Sequence, residues 1–163
     1  MARIHPEGWR HLPTDGARGR ELATLALLAE HLPDDFNVYH DLHWTRAEGQ
    51  HAVFGEIAFV VLGPAGRILL IEQQSGFLDE TTAGLLRPGK RRNHDIRLDL
   101  ARTADALRAR LRPLLDGTEP QLDSLLYCPD YTVRQPGTAG LDPARIVDRS
   151  EERRVGKECR SRW

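Results

Sequence analysis

Two apolar runs joined by a four-residue turn constrain the fold of this chain more than any other feature. The runs are HAVFGEIAFVVLG, residues 51–63, and GRILLIEQQ, residues 66–74, and the letters GPAG that link them are typical of a tight turn. Both runs carry apolar residues on either face of their central portions, as strands do when helices cover them on both sides. We therefore expect a β-hairpin in the middle of a sheet that lies between helices.

Helical periodicity appears twice, once on each side of the hairpin. Apolar residues recur at three and four positions through residues 17–32, with Asp15 as a plausible N-cap and Pro33 as the stop. The same spacing runs through residues 93–115, where Asn93 is positioned to cap the second helix. These segments predict two helices, of which the second is the longer.

Alternating or continuous apolar runs predict the remaining strands. Residues 36–44 alternate, so Phe36, Val38, His40, Leu42 and Trp44 are expected on one face, with a turn at 46–50. Residues 122–129 predict a fourth strand and residues 144–148 a short fifth one. The order α-β-β-β-α-β, in which helices bracket a mixed sheet, indicates an α/β fold.

The last fifteen residues differ from the rest of the chain. The stretch RSEERRVGKECRSRW, residues 149–163, has no structural periodicity and resembles the read-through translation of a sequencing adapter. We therefore expect one native domain over residues 1–148 and a non-native tail at 149–163. If the tail replaces native sequence, a downstream domain is missing from this chain.

Composition narrows the class of protein. The chain has 23 Lys and Arg against 24 Asp and Glu, so there is no global basic surface of the kind that nucleic-acid binding proteins show, and any such contact requires a local patch. Outside the tail Cys128 has no second cysteine to pair with, which indicates a reducing compartment. No apolar run approaches the roughly 20 residues of a membrane span. We expect a cytoplasmic protein with no membrane partner.

The end of the second apolar run is polar in an unexpected way. Because side chains alternate across a strand, Glu72 and Gln74 share one face, and Glu56, Ala58 and Val60 share one face of the preceding strand. Pairing through the turn brings these two polar ends alongside. A carboxylate in a covered strand is costly unless it is paired or binds a metal, so Glu72 and Gln74 indicate a site.

The stretch FGEIAFVVLGPAGRILLIEQQSG resembles the core of the nuclease-related domain family, a branch of the PD-(D/E)xK nuclease superfamily. The resemblance covers most of residues 17–131. It implies a restriction-endonuclease-like core, in which a G-E-I-D run is followed by a turn and a strand that ends in E-x-K. Glu56 matches the Glu of the first motif, Glu72 the Glu of the second, and Glu21 the acid of the first helix.

Two positions depart from the family pattern. Ala58 stands where the family has a metal-binding Asp, and Gln74 stands where it has the catalytic Lys. In such nucleases the carboxylates hold Mg²⁺, and the Lys assists the attacking water. Glu72, with the backbone carbonyl of Gln73, then provides only a weak Mg²⁺ site, and Gln74 cannot act as a base near neutral pH. The favoured interpretation is a DNA-processing domain with a degenerate metal site, such as precedes a helicase or similar module.

Two alternatives remain open. Glu72 could bind Mg²⁺ together with Glu21 or Glu56, which would make the chain an active Mg²⁺-dependent DNA endonuclease. A chain that kept the fold and lost nucleic acid altogether would be a protein-interaction module.

A local basic cluster precedes the second helix. It comprises Arg87, Lys90, Arg91 and Arg92, in the segment GLLRPGKRR that we expect to form a loop. Such clusters are usually solvated loops, but the active site of the family would lie nearby. The cluster could therefore contact DNA phosphates, which positions the nucleic acid without reading its sequence.

Overall fold

The computed structural model describes residues 1–89 and 93–150. Two helices and nine strands, connected by loops and short 3₁₀ turns, make up this part of the chain: β1 Arg3–His5, α1 Gly16–His31, β2 Asn37–Glu48, β3 His51–Leu62, β4 Ile68–Gln73, β5 Asp79–Thr81, β6 Gly84–Arg87, β7 His94–Asp95, α2 Ile96–Leu111, β8 Leu122–Cys128 and β9 Ile146–Asp148. Lys90, Arg91 and Arg92, and the tail from residue 151 onward, lie outside the described residues.

The main sheet has six strands in the order β1-β2-β3-β4-β8-β9. Strands β2, β3 and β4 form an antiparallel meander, while β1 pairs with β2, β8 with β4 and β9 with β8 in parallel. The connection from β4 to β8 passes through α2. Elements α1, β2, β3, β4, α2 and β8 thus follow the order α-β-β-β-α-β expected of a restriction-endonuclease-like core, and the predicted mixed α/β sheet flanked by helices is confirmed.

Each face of the sheet is covered by one helix and has its own hydrophobic core. On one face Leu25 and Leu28 of α1 pack on Phe59, Val61 and other buried sheet residues. On the opposite face the core contains Ile96, Leu100 and Ala104 of α2, together with Val60, Leu70 and Leu126 of the sheet. This two-sided burial explains why the central strands are apolar on both faces.

The prediction that Phe36, Val38, His40, Leu42 and Trp44 all lie on one face of β2 is wrong beyond His40. Val38 and His40 lie on the α1 side, where the His40 ring stacks on Phe59 at a centroid distance of 5.4 Å. Leu42 instead packs in the α2 core, and Trp44 donates from Nε1 to the Thr103 hydroxyl of α2 at 3.2 Å. The alternation therefore shifts by one residue between His40 and Leu42.

The shift occurs at Asp41, which has a left-handed backbone with φ of 57°. The β2–β3 register runs from Asn37↔Leu62 to Glu48↔His51 and lacks one rung, the one at which Asp41 lies opposite Ala58. The strand also continues through residues 46–48, where a turn was expected, because the turn itself needs only Gly49 and Gln50.

A small second sheet lies between β4 and α2, where the sequence suggested a loop. Strands β5, β6 and β7 pair antiparallel, so the basic segment begins on a strand. The Glu80 carboxylate anchors this sheet: it accepts from the Tyr131 hydroxyl at 2.7 Å and from the N–H groups of Arg134 and Gln135 at 2.9 and 2.7 Å. Burial raises the pKa of Glu80, but these hydrogen bonds outweigh it and the pKa is lowered.

The N-cap of α2 also differs from expectation. Asp95 caps the helix, and its Oδ1 accepts from the N–H groups of Arg97 and Leu98 at 3.0 and 3.2 Å. Asn93 precedes the short strand β7 and is too far from the first turn to cap it. No helix of the described residues is long and apolar enough to cross a bilayer.

Candidate functional site

The site lies where β4 leaves β3. The β3–β4 ladder ends at the pair Phe59↔Ile71, so Ala58 and Glu72 come next in line on the two strands. Strand β4 ends at Gln73, whereas β3 runs back to His51 paired with β2 on one edge only. Within residues 1–89 and 93–150, no strand pairs with the other edge of β3 between residues 51 and 58. The expected approach of the two polar strand ends is therefore present.

Two cavities open at this divergence. The first, which we call the α2 cleft, measures about 330 Å³, and its walls include Trp44, Phe54, Glu56, Glu72, Gln74, Arg87, His94, Asp99, Arg102 and Thr103. The second, the α1 notch, measures about 270 Å³ and includes Arg18, Glu21, Asp41, Glu56, Ala58, Glu72, Gln73 and Arg87. Glu56, Glu72 and Arg87 line both cavities, so these three residues form the boundary between them.

Glu72 is the chemically distinctive residue of the site. Burial raises its pKa to about 7, Glu56 and Asp99 add to the increase, and the positive charge of Arg87 and the hydrogen bond from Gln74 oppose it. The Gln74 side-chain amide donates to Glu72 Oε1 at 2.5 Å. Glu72 therefore carries a proton in a large fraction of molecules at neutral pH, unlike an ordinary surface carboxylate.

Gln73 points to the opposite side from Glu72 and Gln74. Its side chain is 6% exposed and donates from Nε2 to the Ser75 hydroxyl at 3.4 Å, while its Oε1 has no hydrogen-bond partner among the described residues. Its backbone lies in the parallel ladder with Tyr127 of β8. The interaction of its backbone carbonyl with Mg²⁺ stays a prediction.

Glu21 and Glu56 reach the α1 notch with different partners. Glu21 of α1 lies 3.0 Å from Nε2 of the buried His40, so its carboxylate is already engaged. The Glu56 side chain is 65% exposed and lies 3.9 Å from Nδ1 of His43. The His43 ring also contacts Asp41, at 3.1 Å from its Nε2. Glu21 and Glu56, the two alternative ligands, thus line the same cavity as Glu72. Each of them, however, contacts a different histidine.

These residues do not form a Mg²⁺ site in their present arrangement. Ala58 offers no ligand atom at the position next to Glu72, and the Glu21 carboxylate is paired with His40. Among the described residues, no group of three or more His, Cys, Asp or Glu is arranged to hold a metal ion.

Arg87 lies beside the acidic residues of the site, and its contact with DNA phosphate stays a prediction. It is on β6, and its guanidinium is 4.0 Å from the Asp99 carboxylate of α2, which also lies 3.8 Å from His94 and 3.9 Å from Arg102. The other members of the basic cluster, Lys90, Arg91 and Arg92, fall outside the described residues.

Sequence reasoning missed Asp41, Asp99 and Arg102 as residues of the site. Asp41 belongs to the site because its left-handed backbone interrupts the β2–β3 pairing opposite Ala58, and no local sequence pattern predicts this interruption. Asp99 and Arg102 lie three apart on the polar side of α2, a spacing that is ordinary for a solvent-exposed helix. Only the packing of α2 and the small sheet against the open edge of β3 reveals them.

Comparisons with known proteins give a fold but no activity. A scan against protein-family models and a search of curated proteins both find no match. Among solved structures, the chain is similar to protein VC1899 from Vibrio cholerae, with a TM-score of 0.50 and 16% sequence identity. The match covers 86% of this chain but only 32% of the Vibrio protein, so this chain spans about a third of its length. The likeness supports the mixed α/β fold described above.

Proposed function

We propose that this chain is a nuclease-related, DNA-associated domain with a degenerate metal site. One observation carries the proposal: Glu72 lies at the end of β4, next in register to Ala58 and bonded to Gln74. The resemblance implies an Asp and a Lys at those two positions. Without that Lys no fixed positive charge stands next to Glu72 on its strand, and burial raises the pKa of the Glu72 carboxyl to about 7.

The retained role is contact with DNA rather than hydrolysis. Arg87 borders both cavities and supplies a positive charge at the site, and Lys90, Arg91 and Arg92 follow it in the chain. Such residues bind phosphate without reading sequence. We further propose a cytoplasmic protein, since Cys128 is buried and free, and a downstream DNA-processing or helicase-type domain in the natural protein.

Restoring the two family residues tests the proposal. The wild type, incubated with single- and double-stranded DNA in Mg²⁺ or Mn²⁺, is expected to show no cleavage that depends on Glu72. The double variant Ala58→Asp, Gln74→Lys is expected to cleave, because it supplies the second carboxylate and the ammonium group. The matched control Ala58→Asn, Gln74→Met introduces side chains of similar size to Asp and Lys without their charges, and it is expected to show no cleavage. Wild-type cleavage that disappears in Glu72→Ala would contradict a degenerate site.

One observation supports a second candidate, an active Mg²⁺-dependent endonuclease. Glu21, Glu56 and Glu72 all line the α1 notch, so a second carboxylate is within the same cavity. This candidate requires Glu72-dependent cleavage in the wild type, lost in either Glu21→Gln or Glu56→Gln. The first proposal expects both variants to behave as the wild type does.

A further inference from the structure

We propose that the open edge of β3 binds an extended peptide segment as an additional strand, whose alternate side chains enter the α2 cleft and the α1 notch. This inference goes beyond the proposed contact with DNA and does not depend on it. Its basis is a row of backbone N–H and C=O groups that has no strand partner among the described residues, with one cavity on each side of the row.

The turn between β2 and β3 determines which backbone groups of β3 face the open edge. Glu48 and His51 flank a two-residue turn, in which Gly49 has a φ of 61°. Residues that flank such a turn are hydrogen-bonded to each other. Hydrogen-bonded pairs then recur at every second residue of an antiparallel ladder, so Val53 and Gly55 of β3 also bond to β2.

The residues between these positions direct their backbone groups away from β2. They are Ala52, Phe54 and Glu56, and all three are exposed. A contact on the far side of the hairpin agrees with this alternation: Thr45, which lies opposite Phe54, accepts at its carbonyl from Arg110 of α2 at 2.6 Å. The Thr45 carbonyl therefore points out of the hairpin on one edge, as the groups of Phe54 do on the other.

The sequence of the open edge does not block the addition of a strand. Natural edge strands commonly carry proline or lysine, which prevent pairing with another chain. Residues 51–58, HAVFGEIA, contain neither. An accessible row of N–H and C=O groups matches the backbone of an extended polypeptide, which is the ligand that strand addition recognises.

The two cavities lie on opposite sides of the strand that would be added. Gly55 packs on Trp44 on the α2 side of β3, and both residues line the α2 cleft. Ala58 belongs to the core on the α1 side and lines the α1 notch. Because neighbouring side chains of a strand point to opposite faces, a peptide residue opposite Gly55 would point to the cleft and the one opposite Glu56 to the notch.

The α1 notch favours a basic side chain. Its lining carries two guanidinium groups and four carboxyl groups, which belong to Arg18 and Arg87 and to Glu21, Asp41, Glu56 and Glu72. Arg18 already contacts Asp41 at 3.4 Å. The excess of acidic groups is complementary to a lysine or arginine of the peptide.

The α2 cleft favours an uncharged side chain instead. Arg87 and Arg102 each lie within 4.0 Å of Asp99, and Glu56 and Glu72 are on the same walls, so the arginines are already matched by acidic groups. The indole of Trp44 and the side chain of Ile96 also line this cavity. The segment that fits the edge therefore alternates basic residues on one face with apolar residues on the other.

Fluorescence anisotropy with the full chain and labelled synthetic peptides tests the inference. The probe is a seven-residue peptide that alternates lysine and valine, with lysine at both ends. One comparison peptide has glutamate in place of lysine, and another has the lysines and valines in two separate blocks. We expect the alternating lysine–valine peptide to bind at least about tenfold more tightly than either, because only this peptide presents basic and apolar side chains on opposite faces.

Methylation of the peptide nitrogens separates strand pairing from charge attraction. In a strand antiparallel to β3, as β4 is, the lysine N–H groups face β3 and the valine N–H groups face away. Methylating the lysine backbone nitrogens should therefore weaken binding at least about tenfold, and methylating the valine nitrogens should leave it nearly unchanged. The reverse result would support a parallel strand, and equal effects of the two modifications would overturn the inference.

Matched variants locate the edge that binds. Ala52→Pro removes an N–H group from the open edge of β3, and Ala47→Pro removes one from the opposite edge of the same hairpin, where Ala47 pairs with Ala52. Only Ala52→Pro should weaken binding, by about fivefold. Glu56→Gln should also weaken binding of the lysine peptide several-fold, whereas Glu30→Gln, exposed on α1, should not.

Amide hydrogen exchange of the unsubstituted chain provides a measurement that does not depend on any variant. The alternating peptide should slow exchange at the N–H groups of Ala52, Phe54 and Glu56 at least about tenfold. The N–H groups of Val53 and Gly55, which already bond to β2, should change little.

Two further outcomes would overturn the inference. One is failure of the alternating peptide to bind at millimolar concentration, or equal binding of the block peptide. The other is protection of the same three amides by single-stranded DNA and not by the peptide, which would assign the edge to nucleic acid. Neither outcome alters the cleavage expected of Ala58→Asp, Gln74→Lys, so the failure of this inference and that of the proposed function are distinguishable.

Discussion

The side-chain amide of Gln74 donates a 2.5 Å hydrogen bond to the carboxyl of Glu72, two residues earlier on the same face of the chain. In the nuclease-related pattern that this sequence resembles, the corresponding pair is a carboxylate and an ammonium group. Here the partner is uncharged, so the hydrogen bond and the Arg87 charge are too weak to overcome the burial of the carboxyl, and the pKa rises to about 7.

The raised pKa of Glu72 should make stability depend on pH in a defined direction. Because the folded protein holds this proton more tightly than the unfolded chain, the contribution is fully present below pH 4.5 and is lost as pH rises to about 7. The loss amounts to roughly 3 kcal/mol at most. Glu72→Gln, which stays neutral, should lack this loss and exceed the wild type in free energy of unfolding at pH 8.

Urea unfolding of both proteins from pH 4 to 8 measures this difference. The exposed Glu30→Gln on α1 is the matched control, because it makes the same substitution outside the site. A curve for Glu72→Gln that runs parallel to that of the wild type would mean that the Glu72 carboxyl ionises normally.

Replacing Asp41 should reveal the cost of its left-handed backbone. Asp41→Ala and Asp41→Gly both remove the contacts with Arg18 and His43, so they differ mainly in the residue's tolerance of φ near 57°. Glycine adopts this conformation without steric penalty, whereas alanine pays about 1 kcal/mol. Thermal or urea unfolding should therefore find Asp41→Gly the more stable of the two. The reverse order would indicate that β2 is regular at this position.

Gly55→Ala should be among the more damaging substitutions in β3. A Cβ at this position would lie 2.2 Å from Cε2 of the Trp44 ring, which is itself bound to Thr103. Displacing the ring should cost roughly 1–3 kcal/mol and change the tryptophan fluorescence. Gly8→Ala, where nothing lies within 4 Å of the added carbon, should leave both quantities nearly unchanged. An equal cost for the two variants would contradict the packing described.

Asp95→Ala should remove the N-cap of α2 and lower the free energy of unfolding by about 1 kcal/mol. The reason is that two N–H groups of the first turn lose their acceptor. Asn93→Ala removes the residue that the sequence pattern favoured as the cap, and it should cost much less. Chemical denaturation of the two variants side by side decides which residue caps the helix.

Much of the architecture could be predicted because it depends on strong local patterns. The hairpin of β3 and β4 follows from two apolar runs and a turn, and the two long helices follow from their periodicity. The polar end of β4 was also identifiable, since a carboxylate at Glu72 is unexpected in a covered strand. For these elements, local preference and tertiary packing agree.

The rest depended on contacts that a local pattern does not contain. Strand β1 is three residues long, and β5, β6 and β7 contain two to four residues each, so they form only because they pair with one another or with a neighbour. The change of face at Asp41 comes from one backbone conformation within an otherwise regular alternation. The walls of the α2 cleft combine α2, β3, β4 and β6, elements far apart in the chain.

The Glu80 carboxylate links the position of Arg87 to a distant loop of the chain. It joins the small sheet to Tyr131 and the following backbone, and that same sheet carries Arg87 on β6. The loop after β8 therefore helps to fix the position of Arg87, which lines both cavities. Sequence variation near residues 131–135 would therefore shift the position of Arg87 while leaving every residue of the cavity walls unchanged.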